Sequence, residues 1–118
     1  MMLLADTSVW IEHFRQGLPE FAAHLADGLV LMHPFVSGEL ACTNLKYRSA
    51  VLSALNTLPA ANRATDTEVL ELIDQRKLWG HDLGWIDAHL LASALLSNCR
   101  FWTLDEDLHG AATDLGLI

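Results

Sequence analysis

The 118-residue sequence has no apolar run near the roughly 20 residues that a membrane-spanning helix requires. Its start has no basic region before Asp6, so we do not expect a secretory signal. It also lacks repeats, low-complexity tracts and a recognisable linker. We therefore expect a cytoplasmic protein with no membrane contact, formed by a single domain over residues 1–118.

Cysteine and positive charge are both scarce. Cys42 and Cys99 are the two cysteines and form no CxxC pair, so we expect two reduced, buried thiols. Seven Lys and Arg residues face fifteen Asp and Glu residues, for a net charge of −8. Nucleic-acid affinity normally comes from Lys and Arg. A nucleic-acid ligand is thus disfavoured unless another source supplies positive charge.

Hydrophobic residues make up 52% of the chain, and their pattern predicts strands alternating with helices. Continuous apolar strands of this kind indicate a short, mainly parallel sheet covered on both faces. The predicted fold is a three-layer α/β/α domain. Buried strands are expected at 2–5, 29–32 and 100–104. Helices are expected at 7–14, 19–27, 34–45, 48–55, 65–79 and 86–97, with a short one from 105.

Acidic residues follow the predicted strands. Asp6 ends the first strand and Asp105 ends the third, and ligands of open α/β sheets bind beyond the carboxyl ends of the strands. Aspartate is also a favoured helix N-cap, and Asp6, Asp87 and Asp105 each stand near a predicted helix start. Taken singly, each of the three is explained by capping.

Glu39 is not explained in that way, and capping leaves the apolar surroundings of Asp87 unexplained. On a helix from Pro34, Glu39 falls on one stripe with Phe35 and Cys42, which places it on the apolar face in mid-helix. Acidic side chains are seldom fully buried unless they are paired. Asp87 has the same problem, because its face carries leucines and alanines. His89 and Ser93 are expected to point the other way.

A shared cation would account for these acids. If Asp6, Glu39, Asp87 and Asp105 converge, carboxylates about 4 Å apart repel by roughly 4 kcal/mol at an effective dielectric constant near 20. All-oxygen ligation favours Mg²⁺ or Mn²⁺ over zinc. Such a cation would draw a phosphodiester into an acidic site and activate water. It would therefore reconcile the negative net charge with a nucleic-acid substrate.

Four segments then stand out, in this order: ADTSVW, SGELA, LGWIDAHLLASALL and FWTLDEDL. Together they resemble the PIN-domain family, and within it the VapC-type toxins of bacterial toxin–antitoxin pairs. The resemblance extends over nearly the whole chain. It implies that Asp6, Glu39, Asp87 and Asp105 are the family's four acids, which hold Mg²⁺ or Mn²⁺ for RNA cleavage.

The resemblance also implies supporting residues and partners. Ser8 and Thr103 match hydroxyl positions that orient the carboxylates or water, and Asp107 stays open as a substitute for Asp105. The implied protein is an endoribonuclease toxin that forms a homodimer and is inhibited by a VapB-type antitoxin. The antitoxin's C-terminal segment would cross the toxin groove, often with an Arg at the metal site.

Two other functions stay open. One is a PIN fold that only binds a partner, although a binder has no reason to keep four converging acids. The other is an Asp-based phosphatase, in which a second Asp follows two residues after the first, where this chain has Ser8.

The remaining polar and aromatic signals are weaker. The six histidines have no metal-binding spacing, and we place them at the surface or in loops. Arg15 and Lys46 read as solvated surface charges rather than RNA contacts. The four tryptophans could stack on bases, but their apolar neighbours favour positions in the core or an interface. Trp79 and Trp85 bracket the loop GHDLG, so they are the pair more readily placed at a groove.

Overall fold

The computed structural model describes all residues from Met1 to Ile118 and has a three-stranded sheet at its centre. The strands are β1 (Leu3–Ala5), β2 (Val30–Leu31) and β3 (Arg100–Trp102). All pairs are parallel and the order is β2-β1-β3, with Leu4 opposite both Leu31 and Phe101. The prediction of a short parallel sheet is confirmed, with each strand one or two residues shorter than expected.

Seven helices surround this sheet, as a three-layer α/β/α fold requires. Prolines at the first helical position begin α2 and α3, where the missing N–H is not needed. The capping box predicted for α5 is present: Glu68 N donates to Thr65 Oγ1 at 3.1 Å, and Thr65 N donates to Glu68 Oε1 at 2.8 Å. The helices are α1 (Thr7–Gln16), α2 (Pro19–Ala26), α3 (Pro34–Ala41), α4 (Arg48–Leu55), α5 (Asp66–Arg76), α6 (Trp85–Leu96) and α7 (Glu106–Asp114).

Two helices end three or more residues before the predicted position. The helix from Pro34 ends at Ala41 rather than near Leu45, because the Arg48 guanidinium donates to the carbonyls of Ala41 and Thr43 and closes the turn. Helix α5 ends at Arg76 rather than just before Gly80, because Lys77 adopts the left-handed conformation with φ +53°.

The core lies between the sheet and the helices. It joins 23 buried residues, including Leu4 in the central strand and Leu91 in α6. Phe21 is fully buried, and its ring meets Trp10 edge-on at 4.7 Å and Trp102 at 5.7 Å. Trp10 and Trp102 are thus part of the core, whereas Trp79 and Trp85 are exposed.

The burial of several polar residues was wrongly predicted. Helix α6 packs against both the sheet and α5, so residues 88–94 are buried continuously, and His89 and Ser93 do not face solvent. His33 is also fully buried, at the end of β2.

Cys99 is buried as expected, but Cys42 is exposed because α3 ends one residue before it; both thiols are free. No helix is long and apolar enough to cross a bilayer.

Candidate functional site

The carboxyl edge of the sheet brings together residues from opposite ends of the chain. Asp6 directly follows β1, and Thr103 directly follows the neighbouring strand β3. Asp6 N donates to the carbonyl of Trp102 at 3.0 Å, which extends the strand pairing by one residue. The backbone of the sheet therefore sets where the Asp6 side chain begins.

Three donors hold the Asp6 carboxylate, which is only 7% exposed. Ser8 Oγ and Val9 N donate to Oδ1 at 2.5 and 3.3 Å, and Thr103 Oγ1 donates to Oδ2 at 2.5 Å. The bond from Val9 is a helix N-cap for α1. The same Asp6 carboxylate therefore caps α1 and lies at the site. It is oriented by Ser8 and Thr103, the two hydroxyl residues that the family resemblance singled out.

The same two hydroxyls connect Asp6 to the segment after β3. Ser8 Oγ accepts from Leu104 N at 3.0 Å, and Thr103 Oγ1 accepts from Asp105 N at 3.0 Å. Asp105 in turn caps α7, because its Oδ1 accepts from Leu108 N at 2.9 Å. Ser8 and Thr103 consequently fix the position of Asp6 relative to Asp105.

Asp87 lies in the first turn of α6, half-buried, and its Oδ2 accepts from Gly84 N at 3.0 Å. Burial raises the pKa of Asp87 above its usual range, and the negative charges of Asp6, Asp105 and Glu39 raise it further. Asp6, Glu39 and Asp105 therefore each lie within electrostatic reach of Asp87. We refer to Asp6, Glu39, Asp87 and Asp105 as the acidic cluster.

The prediction that Glu39 is buried on an apolar face is wrong. Glu39 is exposed, and its Oε1 accepts from Thr7 Oγ1 at 2.6 Å. The buried side of α3 runs through Val36 and Leu40 instead. Because α3 packs against α1, Glu39 lies near enough to the start of α1 to accept from Thr7, the residue that follows Asp6.

Asp107 stands apart from the acidic cluster. It is exposed on α7 and is not among the charges that raise the pKa of Asp87. It lines a cleft with Arg76, Lys77 and Asp114, which none of the four acids lines. Of the two acids left open by the sequence, Asp105 is the one that lies with the others.

The donor set of the acidic cluster suits a hard divalent cation. No three acidic, histidine or cysteine side chains are close enough to enclose an ion unaided. Magnesium does not need such a cage, since it commonly binds one or two carboxylates together with waters and substrate phosphate. The negative charges of Asp6, Asp105 and Glu39 repel the ionised Asp87 carboxylate, and a bound cation would offset that repulsion.

Two buried histidines beside the cluster were missed by the sequence reasoning. His33 Nδ1 accepts from Phe35 N at 3.0 Å and so caps α3, for which its place directly before Pro34 was an available signal. Burial lowers the pKa of His33 to about 4, helped by the positive charge of Arg63 and by His89. His33 is therefore neutral at pH 7.

Comparison with known proteins gives a consistent result. The PIN domain family matches residues 3–113. Two curated proteins, both named Ribonuclease VapC32, come from Mycobacterium tuberculosis strains CDC 1551 / Oshkosh and ATCC 25618 / H37Rv. Each is 43% identical to this chain over 117 residues, which cover 98% of this chain and 94% of the relative.

Proposed function

This chain belongs to the PIN-domain family, and from that premise we propose that its acidic cluster is the active site of a metal-dependent endoribonuclease, the toxin of a type II toxin–antitoxin system. PIN-domain VapC ribonucleases are generally metal-dependent. The observation that supports the proposal is the hydrogen-bond network at the carboxyl edge of the sheet, in which Ser8 and Thr103 orient Asp6 and Thr103 joins it to Asp105. Asp87 lies near enough to these acids for their negative charges to raise its pKa.

Asp6, Asp87, Asp105 and Glu39 would hold Mg²⁺ or Mn²⁺, which when bound supplies charge neutralisation for a phosphodiester and a more acidic water. Ser8 and Thr103 keep the Asp6 carboxylate in one orientation, so its oxygens need little rearrangement on binding. Thr7 does the same for Glu39. Because burial and three neighbouring acids disfavour ionised Asp87, protons compete with the cation there.

The arrangement gives no support to an Asp-based phosphatase. The position two residues after Asp6 is Ser8, and its hydroxyl hydrogen is donated to Asp6 itself. Ser8 therefore fixes the first acid and does not serve as a second one.

The test uses the purified full chain and single-stranded RNA. We expect cleavage with Mg²⁺ or Mn²⁺, none with a chelator, and none in Asp6→Asn or Asp87→Asn at any metal concentration. Asp74→Asn, which changes an exposed acid on α5 away from the cluster, is the matched control and should stay active. Full activity in Asp87→Asn contradicts the proposal, and RNA binding without cleavage by the wild type supports the non-catalytic binding module.

We also propose that the protein acts in the cytoplasm as a homodimer inhibited by a VapB-type antitoxin. Support for the antitoxin comes from a groove lined by Ile11, Phe14 and Tyr47, which are 44%, 40% and 77% exposed. Ile11 is one turn along α1 from Thr7, which donates to Glu39 of the acidic cluster. An antitoxin segment bound in this groove would therefore extend toward the cluster.

The partner proposal is tested by coexpression with the antitoxin. Ile11→Asp and Phe14→Asp should escape inhibition while cleaving RNA at the wild-type rate, and unchanged inhibition of both contradicts the groove as the antitoxin site. Sedimentation equilibrium of the isolated chain should give the mass of two copies, and a single-chain mass contradicts the homodimer.

A further inference from the structure

Three rings from α3 and α6 form a continuous strip. The His89 ring meets Phe35 at 5.0 Å and Trp85 at 4.6 Å between centroids, edge-to-face in both cases. We refer to Phe35, His89 and Trp85 as the aromatic strip. Edge-to-face contacts are a favoured arrangement, so each ring supports the next.

The strip and the cluster share the same two helices. Trp85 and Asp87 both lie in the first turn of α6, and Phe35 lies one turn before Glu39 on α3. Residues four apart on a helix are neighbours on one face. On α3 the strip adjoins Glu39, whereas on α6 Trp85 and His89 each lie two residues from Asp87 and project from a different side of the helix.

Trp85 is the accessible end of the strip. Its side chain is 43% exposed, while His89 behind it is only 2% exposed. The result is a large ring held firmly from one side and open to solvent on the other. Trp79, on the other side of the GHDLG loop, is 59% exposed and contacts none of these rings.

A cation accompanies the strip. The Arg63 guanidinium lies over the Phe35 ring at 5.4 Å from its centroid, and Arg63 takes part in neither ion pair of the structure. Arg15 is paired with Glu12, and Arg48 caps carbonyls at the end of α3. Arg63 thus offers a positive charge outside both ion pairs, beside the aromatic strip, in a chain whose net charge is −8.

We propose that Trp85 and Arg63 form a nucleotide-binding subsite of this enzyme, in which one base of single-stranded RNA stacks on Trp85 and Arg63 binds a phosphate of the same strand. The inference rests on the proposed ribonuclease function and names how the substrate is held. Base stacking on aromatic side chains tolerates any sequence, and a guanidinium suits a phosphate. The subsite supplies affinity that the acidic surface lacks, and Trp85 holds the base two residues along α6 from Asp87.

The first test separates binding from chemistry at Trp85. The probe is a short, 5′-fluorescein-labelled single-stranded oligoribonucleotide of mixed sequence, used for kcat and KM and for anisotropy titration in the Asp87→Asn background. Trp85→Leu keeps apolar packing on His89 but loses the stacking surface, and we expect its KM and dissociation constant to rise roughly tenfold with kcat little changed. Trp85→Phe should restore most of the affinity, and Trp79→Ala should match the wild type.

The second test uses salt dependence at Arg63. Loss of one phosphate contact on a single strand reduces the slope of log affinity against log salt by about 0.7. We expect this change in Arg63→Gln, together with weaker binding. Arg100→Gln removes an exposed charge at the first residue of β3, on the opposite edge of the sheet, and should leave the slope unchanged.

The outcomes distinguish the two proposals. If the wild type cleaves RNA but Trp85→Leu and Arg63→Gln keep its KM and salt slope, the subsite is wrong and the ribonuclease stands. If the wild type binds the oligoribonucleotide through Trp85 without cleaving it, the ribonuclease is wrong and the subsite stands. If it neither binds nor cleaves, both are overturned.

Discussion

Thr103 donates its hydroxyl hydrogen to Asp6 across 97 residues of chain, from the end of one strand to the end of its neighbour. The same oxygen accepts from the backbone of Asp105. One buried hydroxyl therefore joins two members of the acidic cluster, and its removal should affect both stability and catalysis.

The substitution Thr103→Val keeps the shape and removes the hydroxyl. It leaves Asp6 Oδ2 without its donor and Asp105 N without its acceptor in a buried setting, so we expect a loss of about 1–3 kcal/mol in the free energy of unfolding. RNA cleavage should fall as well, because Asp6 is no longer oriented. Urea unfolding and kcat measure the two effects. Thr103→Ser should restore both, and a fully active Thr103→Val protein contradicts the orienting role.

Asp87→Asn should make the metal-free protein more stable while abolishing cleavage. The change removes a charge disfavoured by burial and by three acids, and the amide oxygen can still accept from Gly84 N. We expect a gain of roughly 1 kcal/mol at neutral pH. Because the pKa of Asp87 is raised, the wild type takes up a proton on folding at low pH, and the gain should vanish there. Thermal unfolding across pH measures this, and an equal gain in Asp74→Asn contradicts it.

His33 should make the fold sensitive to acid. Its pKa is about 4 in the folded state and 6.5 as the ordinary value, so the unfolded state binds more protons between these pH values. Stability therefore rises with pH through this window, is complete above pH 6.5, and is lost on acidification by about 1.4 kcal/mol per pH unit within it.

The matched variant for this prediction is His33→Asn, whose side chain can still accept from Phe35 N and cap α3. Urea unfolding between pH 7 and pH 4 should show the stability difference between wild type and variant shrinking as the pH falls. A constant difference shows that His33 does not titrate in this range.

Lys77→Gly should stabilise the end of α5. Lys77 has φ +53°, a conformation that costs a residue with a side chain about 1–2 kcal/mol, while glycine loses roughly 0.5–1 kcal/mol of extra backbone entropy. The net gain is about 0.5–1 kcal/mol, measured by urea unfolding. Lys77→Ala removes the same charge but keeps the strain, so a similar gain in that variant attributes the effect to charge instead.

Patterns within a few residues of one another predicted most of the elements correctly. Pro19 and Pro34 begin helices, and Thr65 with Glu68 forms the capping box, because these signals act through neighbouring backbone groups. The predicted end of α5 was wrong, because a residue before the expected glycine could also end the helix. Gly80 was expected to end α5, but Lys77 took the left-handed conformation first.

The arrangement of side chains around each helix was less predictable. The spacing in α3 defines a stripe through Phe35 and Glu39, yet Val36 and Leu40 face the core. Helix α6 is buried on nearly all sides, so His89 was wrongly placed at the surface. A helical pattern shows which residues share a face, but not which neighbour that face will meet.

The choice of acids came from the chain alone: strand ends and capping positions led to Asp6, Asp87 and Asp105, and the family's segments led to these and to Glu39. The apolar-face argument that also selected Glu39 was wrong, because that side chain is exposed. The relationship of the four acids to one another needed the fold. Parallel pairing of β1 with β3 places Thr103 against Asp6, and the packing of α3 on α1 brings Glu39 to Thr7. The physical reason is range: capping and turns depend on adjacent backbone groups, whereas burial, repulsion and the aromatic strip depend on contacts between segments far apart in the chain.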